Sequence, residues 1–191
     1  MANIDDKANY ILDLLHQDHL NISRLLDIFE KQIDIMHMGE DPNYRLLQDI
    51  MHYMGHYPDA FHHPREEKIF EKLKNNNADI DGIVKRLADE HLKMAEQGVN
   101  ITDKLTEIFN GSIVSMAAIY ELSKDYLELM RNHINSEESE LFPQVKELVS
   151  EQDWQDINES VSHIDDPLFG KTVEDFYQYL YSCIQQESNH V

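Results

Sequence analysis

Residues 8–37 decide the fold, and they read ANYILDLLHQDHLNISRLLDIFEKQIDIMH. Their apolar side chains recur at alternating spacings of three and four residues, which is the period of an α-helix that buries one face. The members of this stripe are Leu12, Leu15, His19, Ile22, Leu26, Phe29 and Ile33. Only His19 is polar. The segment therefore predicts a long core-facing helix with one histidine in its buried stripe.

Three further segments of similar length, near 42–75, 79–109 and 112–149, show the same helical period. Short breaks rich in Gly, Pro, Asn and Asp separate the four segments, at 39–42, 75–77 and 110–111. No segment alternates apolar and polar residues as a β-strand does. Four helices of roughly 30 residues joined by short loops predict an all-α fold, an antiparallel up-down four-helix bundle.

The pattern weakens after residue 150, where two shorter helical segments remain, around 153–162 and 172–187. A break with the sequence DDPLFG at 165–170 separates them. We therefore predict two parts: residues 1–150 form the bundle, and residues 151–191 form a short C-terminal helical extension that packs on it.

The composition excludes several classes of protein. The chain has 191 residues, with 16 Lys and Arg against 37 Asp and Glu, so the formal net charge is −21. Such a balance argues against nucleic acid and anionic membranes as partners, because both require a basic surface. No apolar run approaches the ~20 residues of a membrane helix, and the N-terminus does not resemble a signal peptide. The single cysteine, Cys183, excludes a disulfide framework. We expect a cytoplasmic protein.

Histidine is the unusual residue, with eleven in the chain. Each of the four predicted helices places one histidine in its buried stripe, and two helices add a glutamate four residues later. The polar residues of the four stripes are His19, His62 with Glu66, His91, and His133 with Glu137. Every bundle helix therefore contributes to one polar layer in the predicted core.

A metal cluster explains this layer better than chance placement does. A lone histidine on an apolar stripe is more often a hydrogen-bonded core residue, and a lone His-x-x-x-Glu pair forms on any helix surface. Two glutamates and four histidines in one core are different, because buried glutamates are costly unless they are paired or bind a metal. A site of imidazoles alone suits zinc or copper, whereas imidazoles together with bridging carboxylates suit two iron or manganese ions.

The second helix offers two candidate pairs, because residues 61–67 read FHHPREE. His62 and Glu66 share the stripe of apolar residues, whereas His63 and Glu67 share a face with charged and polar residues. Burial favours His62 and Glu66 as the metal-site pair. It predicts a solvated face for His63 and Glu67.

Four stretches resemble a known family: Asp18-His19, YPDAFHHPREE at 57–67, Glu90-His91, and HINSEESELFP at 133–143. Over about residues 8–149 the chain resembles the hemerythrin-like, or HHE cation-binding, family, and DPLFG at 166–170 is similar to a bacterial sub-branch. The resemblance implies a four-helix bundle around a non-haem di-iron centre. It implies terminal ligation of two iron ions by four histidines and bridging by two glutamates, namely His19, His62, His91, His133, Glu66 and Glu137.

The resemblance also bears on function. Oxygen-carrying members have a second histidine one turn after the helix-three ligand, whereas this chain has Ala95 four residues after His91. Six ligands leave each of two irons short of six-coordination, so O₂, nitric oxide or peroxide could bind. Our first hypothesis is a protein that binds or responds to such a ligand. The alternatives are a di-iron enzyme, or an iron-centre repair or iron-donor protein, served by a redox partner protein, and a structural bundle that holds adventitious zinc.

Overall fold

The computed structural model describes residues 4–74, 78–161 and 164–188. Every regular element in these ranges is helical, which confirms the all-α prediction. The elements are α1 (Ile4–His37), α2 (Tyr44–Met54), a first π-turn (Pro58–His62), α3 (His63–Leu73), α4 (Ala78–Phe109), α5 (Met116–Ser136), a second π-turn (Glu137–Leu141), α6 (Phe142–Leu148), α7 (Glu151–Ser160), a 3₁₀ turn (Asp175–Tyr177) and α8 (Gln178–Ser188). Within the described ranges no helix is long and apolar enough to cross a lipid bilayer.

The first helix follows the sequence pattern closely. In α1 all seven residues of the predicted stripe, from Leu12 to Ile33, are buried. The chain leaves the helix at Gly39, which has a φ of +80°. Glycine adopts this left-handed conformation without steric cost and commonly ends helices. The backbone N–H of Gly39 donates to the carbonyl of Met36 at 3.1 Å, so α1 ends at the predicted break.

The second predicted segment, 42–75, is divided into α2 and α3. Asn43 caps α2, because its side chain accepts a hydrogen bond from the backbone N–H of Leu46 at 3.0 Å. Pro58 and Pro64 lack a backbone N–H, so a regular α-helical hydrogen-bond ladder is interrupted in this region. The first π-turn bridges the interruption. The break predicted at 75–77 lies outside the described residues.

The fourth predicted segment, 112–149, is divided in the same way. Ser115 caps α5 by accepting a hydrogen bond from the backbone N–H of Ala118 at 3.3 Å. The second π-turn then separates α5 from α6, and Pro143 lies in the first turn of α6. Segments two and four, which carry the His-x-x-x-Glu pairs, are therefore the two that contain π-turns.

The apolar core consists of two clusters on either side of a polar layer. On α1, Leu15 belongs to one cluster and Ile22 to the other, with His19 between them. On α4 the same holds for Leu87 and Met94. A polar layer between two dry clusters is screened from water along the length of the molecule. This arrangement strengthens every electrostatic interaction inside the layer.

The C-terminal residues pack on the other helices. In α7, Trp154 and Ile157 are buried in the cluster that contains Leu15, and α7 contacts α1 and α3. In α8, Leu180 and Ile184 are buried in the other cluster, and α8 contacts α2. The DPLFG break forms a tight turn, which fits its Gly and Pro content. The division of the chain near residue 150 stays a prediction.

Candidate metal centre

Six helical elements bring the six predicted site residues together. The four histidines come from α1, the first π-turn, α4 and α5, while Glu66 lies in the first turn of α3 and Glu137 begins the second π-turn. The two glutamate side chains are 0% exposed. The structure therefore places every one of the six side chains in the same buried layer.

The π-turns position two of these side chains. A π-turn contains one more residue per turn than an α-turn, so it rotates the side chains that follow it, and such turns often occur at functional sites. The first π-turn ends at His62 and the second begins at Glu137. In each segment the histidine still lies one turn from its glutamate. Nε2 of His62 is 3.0 Å from Oε1 of Glu66, and Nε2 of His133 is 3.2 Å from Oε1 of Glu137.

The six side chains form two overlapping groups, and both glutamates belong to both groups. The ligand atoms within each group all lie within 4.8 Å of one another; the groups are His19, His62, Glu66 and Glu137, and Glu66, His91, His133 and Glu137. Each group could hold one metal ion. Shared carboxylates between two such positions have the arrangement that a bridged pair of metal ions requires.

Each glutamate divides its two oxygens between the groups. Oε1 of Glu66 faces the first group, whereas its Oε2 lies 3.4 Å from Nε2 of His91 in the second. Oε2 of Glu137 lies 3.1 Å from Nε2 of His19 in the first group, and its Oε1 faces His133 in the second. One carboxylate can therefore reach two ions at once.

Several buried polar atoms of the centre have no hydrogen-bond partner among the described residues. Both side-chain oxygens of Glu66 and of Glu137, together with Nε2 of His19, are buried and have no hydrogen-bond partner among the described residues. Buried polar atoms are almost always satisfied, because an unsatisfied one costs on the order of 1–3 kcal/mol. Four orphaned carboxylate oxygens in one layer fit bound cations, which would accept their electron pairs.

The electrostatics of the site also favour positive charge. Burial opposes ionisation of Glu66, but the neighbouring His62 and the other histidines outweigh it and hold the pKa of Glu66 well below its usual range. Burial likewise opposes protonation of His62, but the charge of Glu66 and the hydrogen bond to Asp18 raise its pKa to about 9. The layer therefore retains protons on histidine when no other cation is present. Divalent cations would replace those protons.

Three carboxylates lie behind the histidines. Nδ1 of His62 lies 3.2 Å from Asp18, which also accepts hydrogen bonds from Arg65 and from the hydroxyl of Tyr57, each at 3.1 Å. Carboxylates at this position fix the ring orientation and leave the other nitrogen for a metal. Asp18 is thus an anchor for His62.

The second and third anchors follow the same plan. Nδ1 of His19 lies 2.7 Å from Oε1 of Glu138, and Nδ1 of His133 lies 2.9 Å from Oε2 of Glu90. Our reading of the sequence gave no role to Asp18, Glu90 or Glu138. A signal was present, since each directly adjoins a site residue in the sequence. It could not show that each anchor serves a histidine on a different helix.

His63 differs from its prediction. Its side chain is only 15% exposed, and its Nδ1 lies 3.1 Å from Asp59. Its ring stacks on that of His91, with the ring centres 4.0 Å apart and the planes inclined by 24°. The solvated face predicted for His63 is wrong, because the π-turn before it rotates the ring inward, whereas Glu67 is exposed as predicted.

Comparison with known proteins agrees with this geometry. A family model for the hemerythrin HHE cation-binding domain matches residues 10–145, which is well over half of the chain. The chain belongs to the hemerythrin HHE cation-binding family. All six site residues of this hemerythrin-like chain fall inside the matched range. Searches of curated proteins and of solved structures find no match.

Proposed function

We propose that this hemerythrin-like chain holds two iron ions and binds or responds to a small ligand, namely O₂, nitric oxide or peroxide. In this proposal the histidines are terminal ligands and the glutamates bridge the ions; the residues are His19, His62, His91, His133, Glu66 and Glu137. The four orphaned carboxylate oxygens shared by two ligand groups are the observation that carries it.

The donor set supports iron over zinc. Mixed imidazole and carboxylate ligands in a helical core are typical of iron or manganese pairs, whereas structural zinc sites have four closed ligands. When bound, two irons supply open coordination positions and one-electron chemistry. Six protein ligands for two ions leave such positions unfilled by the chain.

The chain's own residues orient the imidazole rings and exclude bulk water. Asp18, Glu90 and Glu138 hold three imidazole rings so that each Nε2 faces the centre. The two apolar clusters exclude bulk water above and below the layer. Rigid ligands in a dry layer favour binding of a small neutral ligand, because water competes poorly there.

We also infer the wider setting of this activity. Contacts of α1 with α2 and α5, and of α4 with α2, α3 and α5, support the antiparallel up-down four-helix bundle predicted from the sequence. The free thiol of Cys183 supports a cytoplasmic location, because reducing compartments retain thiols. Repeated turnover would require a redox partner protein, whereas binding or sensing would not.

Metal analysis and optical spectroscopy of anaerobically purified protein test the proposal. We expect two irons per chain and a charge-transfer absorption that appears on exposure to air. Nitric oxide titrated into the reduced protein should bind stoichiometrically. One zinc per chain with no visible absorption would overturn the proposal. The Glu67→Ala variant is a matched control, because Glu67 is an exposed glutamate beside Glu66.

A further inference from the structure

A cavity of about 240 Å³ lies between α2, α4 and α5, beside the metal layer. Four methionine side chains form much of its wall, namely Met51, Met54, Met94 and Met130. All four are buried members of one apolar cluster. The space is therefore an apolar chamber whose inner wall belongs to the core and whose outer wall includes exposed residues, among them Val99 and Thr102.

The chamber adjoins the metal centre on three elements. Pro58, Ala95 and Met130 line it, and each lies about one turn from the site histidine of its own element. His63 also lines it, with the ring that stacks on His91. An occupant would lie against this histidine pair, one turn from the metal ligands.

Gly98 keeps the chamber open. A Cβ atom at Gly98 would lie 3.7 Å from Cε of Met51 and 4.0 Å from Cε2 of Tyr126, which is ordinary van der Waals contact. Close packing therefore does not require glycine here, although glycine within a helix is less stable than alanine. A longer side chain would extend into the chamber. Gly98, which has no side chain, thus leaves the chamber unfilled at this position.

The polar groups of the wall include no lysine or arginine among the described residues. The phenol of Tyr126 stays protonated, because burial raises its pKa. Asp59 and Asp103 line the chamber together with three histidines, namely His52, His56 and His63. A wall with two carboxylates and no lysine or arginine among the described residues disfavours anions.

We propose that this chamber binds an uncharged aromatic molecule with one substituted ring and one hydrogen-bonding group. Methionine sulfur makes favourable contacts with aromatic rings, and four methionines surround this space. An apolar cavity of about 150 Å³ accommodates benzene. The larger chamber therefore has room for a ring with a small polar substituent. Apolar chambers with few polar groups are the usual form of small-molecule sites.

A fluorine NMR titration of the full-length protein with 4-fluorophenol tests the site. We expect saturable binding with a Kd of about 1 mM or below. Gly98→Leu should weaken binding at least about tenfold, because the new side chain occupies the chamber. The matched control is Gly82→Leu on the same helix, where a Cβ meets no atom within 4 Å. That variant should bind within about twofold of the natural chain.

Three results would overturn the proposal: no saturable binding, undiminished binding by Gly98→Leu, or equally tight binding of 4-fluorobenzoate. Thermal melting shows whether Gly98→Leu is folded. If it is not, Ala95→Phe replaces it, with the exposed Ala88→Phe as its control. The titration observes the fluorophenol rather than the metal. Its failure is therefore distinguishable from failure of the di-iron proposal.

Discussion

The two groups that could each hold a metal ion share their glutamates but differ in how their histidines are held. In the first group, His19 and His62 are buried, and a carboxylate lies behind each ring, from Glu138 and Asp18. In the second, Glu90 lies behind His133, but no carboxylate among the described residues is hydrogen-bonded to Nδ1 of His91, and Nε2 of His91 lies 3.0 Å from Nε2 of His133. The ring of His91 is instead held by stacking.

This difference teaches that the two positions are not equivalent. His91 is 10% exposed, whereas the other three histidines are 3% exposed. Its ring lies between His63 and Phe70, which restrict it without fixing its hydrogen bonding. Anchoring carboxylates raise ligand basicity and metal affinity. We therefore expect a tight first position and a second position that exchanges metal and admits ligand more readily.

Removal of a shared ligand should have the largest effect, because it acts on both positions. We expect Glu137→Ala to remain helical by circular dichroism but to hold at most one metal per chain. The loss follows because, in the part of the chain that the structure describes, Glu66 is the only other carboxylate that belongs to both groups. Plasma emission analysis after gel filtration measures the stoichiometry. Glu67→Ala should keep two metals, and full occupancy in Glu137→Ala would show that Glu137 does not bridge.

Removal of the metals should come next. Chelation leaves four carboxylate oxygens unsatisfied in the layer, and metal that binds only the native state stabilises it by linkage. Metal at 1,000 times its Kd contributes about 4 kcal/mol, which corresponds to a fall in Tm of roughly 10 °C for a chain of this size. Differential scanning calorimetry before and after chelation measures it. An unchanged Tm after verified metal removal would show that no metal bound in this layer stabilises the folded chain.

The metal-free chain should lose stability as the pH rises. The pKa of His62 is about 9 in the folded state and 6.5 in its unperturbed state. A raised histidine pKa contributes stability that is fully present below pH 6.5 and is lost as the pH rises through 9. The difference of 9 − 6.5 corresponds to roughly 3 kcal/mol at most. Metal-loaded protein should show the opposite trend, because protons compete with metal.

Urea unfolding of both forms at pH 6 and pH 9 measures this dependence. Only the metal-free form should be less stable at pH 9. If the free energy of unfolding changed equally with pH in the two forms, protons and metal would not compete for the same histidines.

Loss of an anchor should weaken one position. Asp18→Asn removes the charge behind His62, and we expect metal affinity at the first position to fall by roughly 10- to 100-fold. The exposed Asp13→Asn on the same helix serves as the control. Competition with a chromophoric chelator measures both affinities. If the weaker of the two affinities fell instead, the first position would not be the tight one.

Loss of the stack on His91 should have the smallest effect. His63→Ala removes a ring contact worth roughly 0.5–1.5 kcal/mol, so we expect a two- to tenfold loss of affinity at the second position only. Two metals should still bind at saturation. The matched control is His56→Ala, an exposed histidine before the first π-turn. Loss of a whole metal from His63→Ala, with no loss from His62→Ala, would show that His63 rather than His62 is the metal ligand.

Much of this protein could be predicted from the sequence because it depends on period. The buried stripe of α1 follows from spacings of three and four residues, and the same spacing places His19 and His91 in the core. The all-helical fold was predicted correctly for this reason, and the family was predicted correctly from the motif stretches that resemble it. The six site residues lie together because each occupies a stripe position on its own helix.

Only the tertiary structure decided what depends on a change of period or on contacts between helices. The two π-turns change the helical phase. A prediction from a regular α-helical period therefore placed His63 on a solvated face, which is wrong. Asp18 pairs with His62, which lies 44 positions later in the chain, and Glu90 pairs with His133, which lies 43 positions later. Spacing along one helix carries no information about such pairs, because they depend on how the helices pack. The inequality that we expect between the two proposed metal positions depends on those contacts.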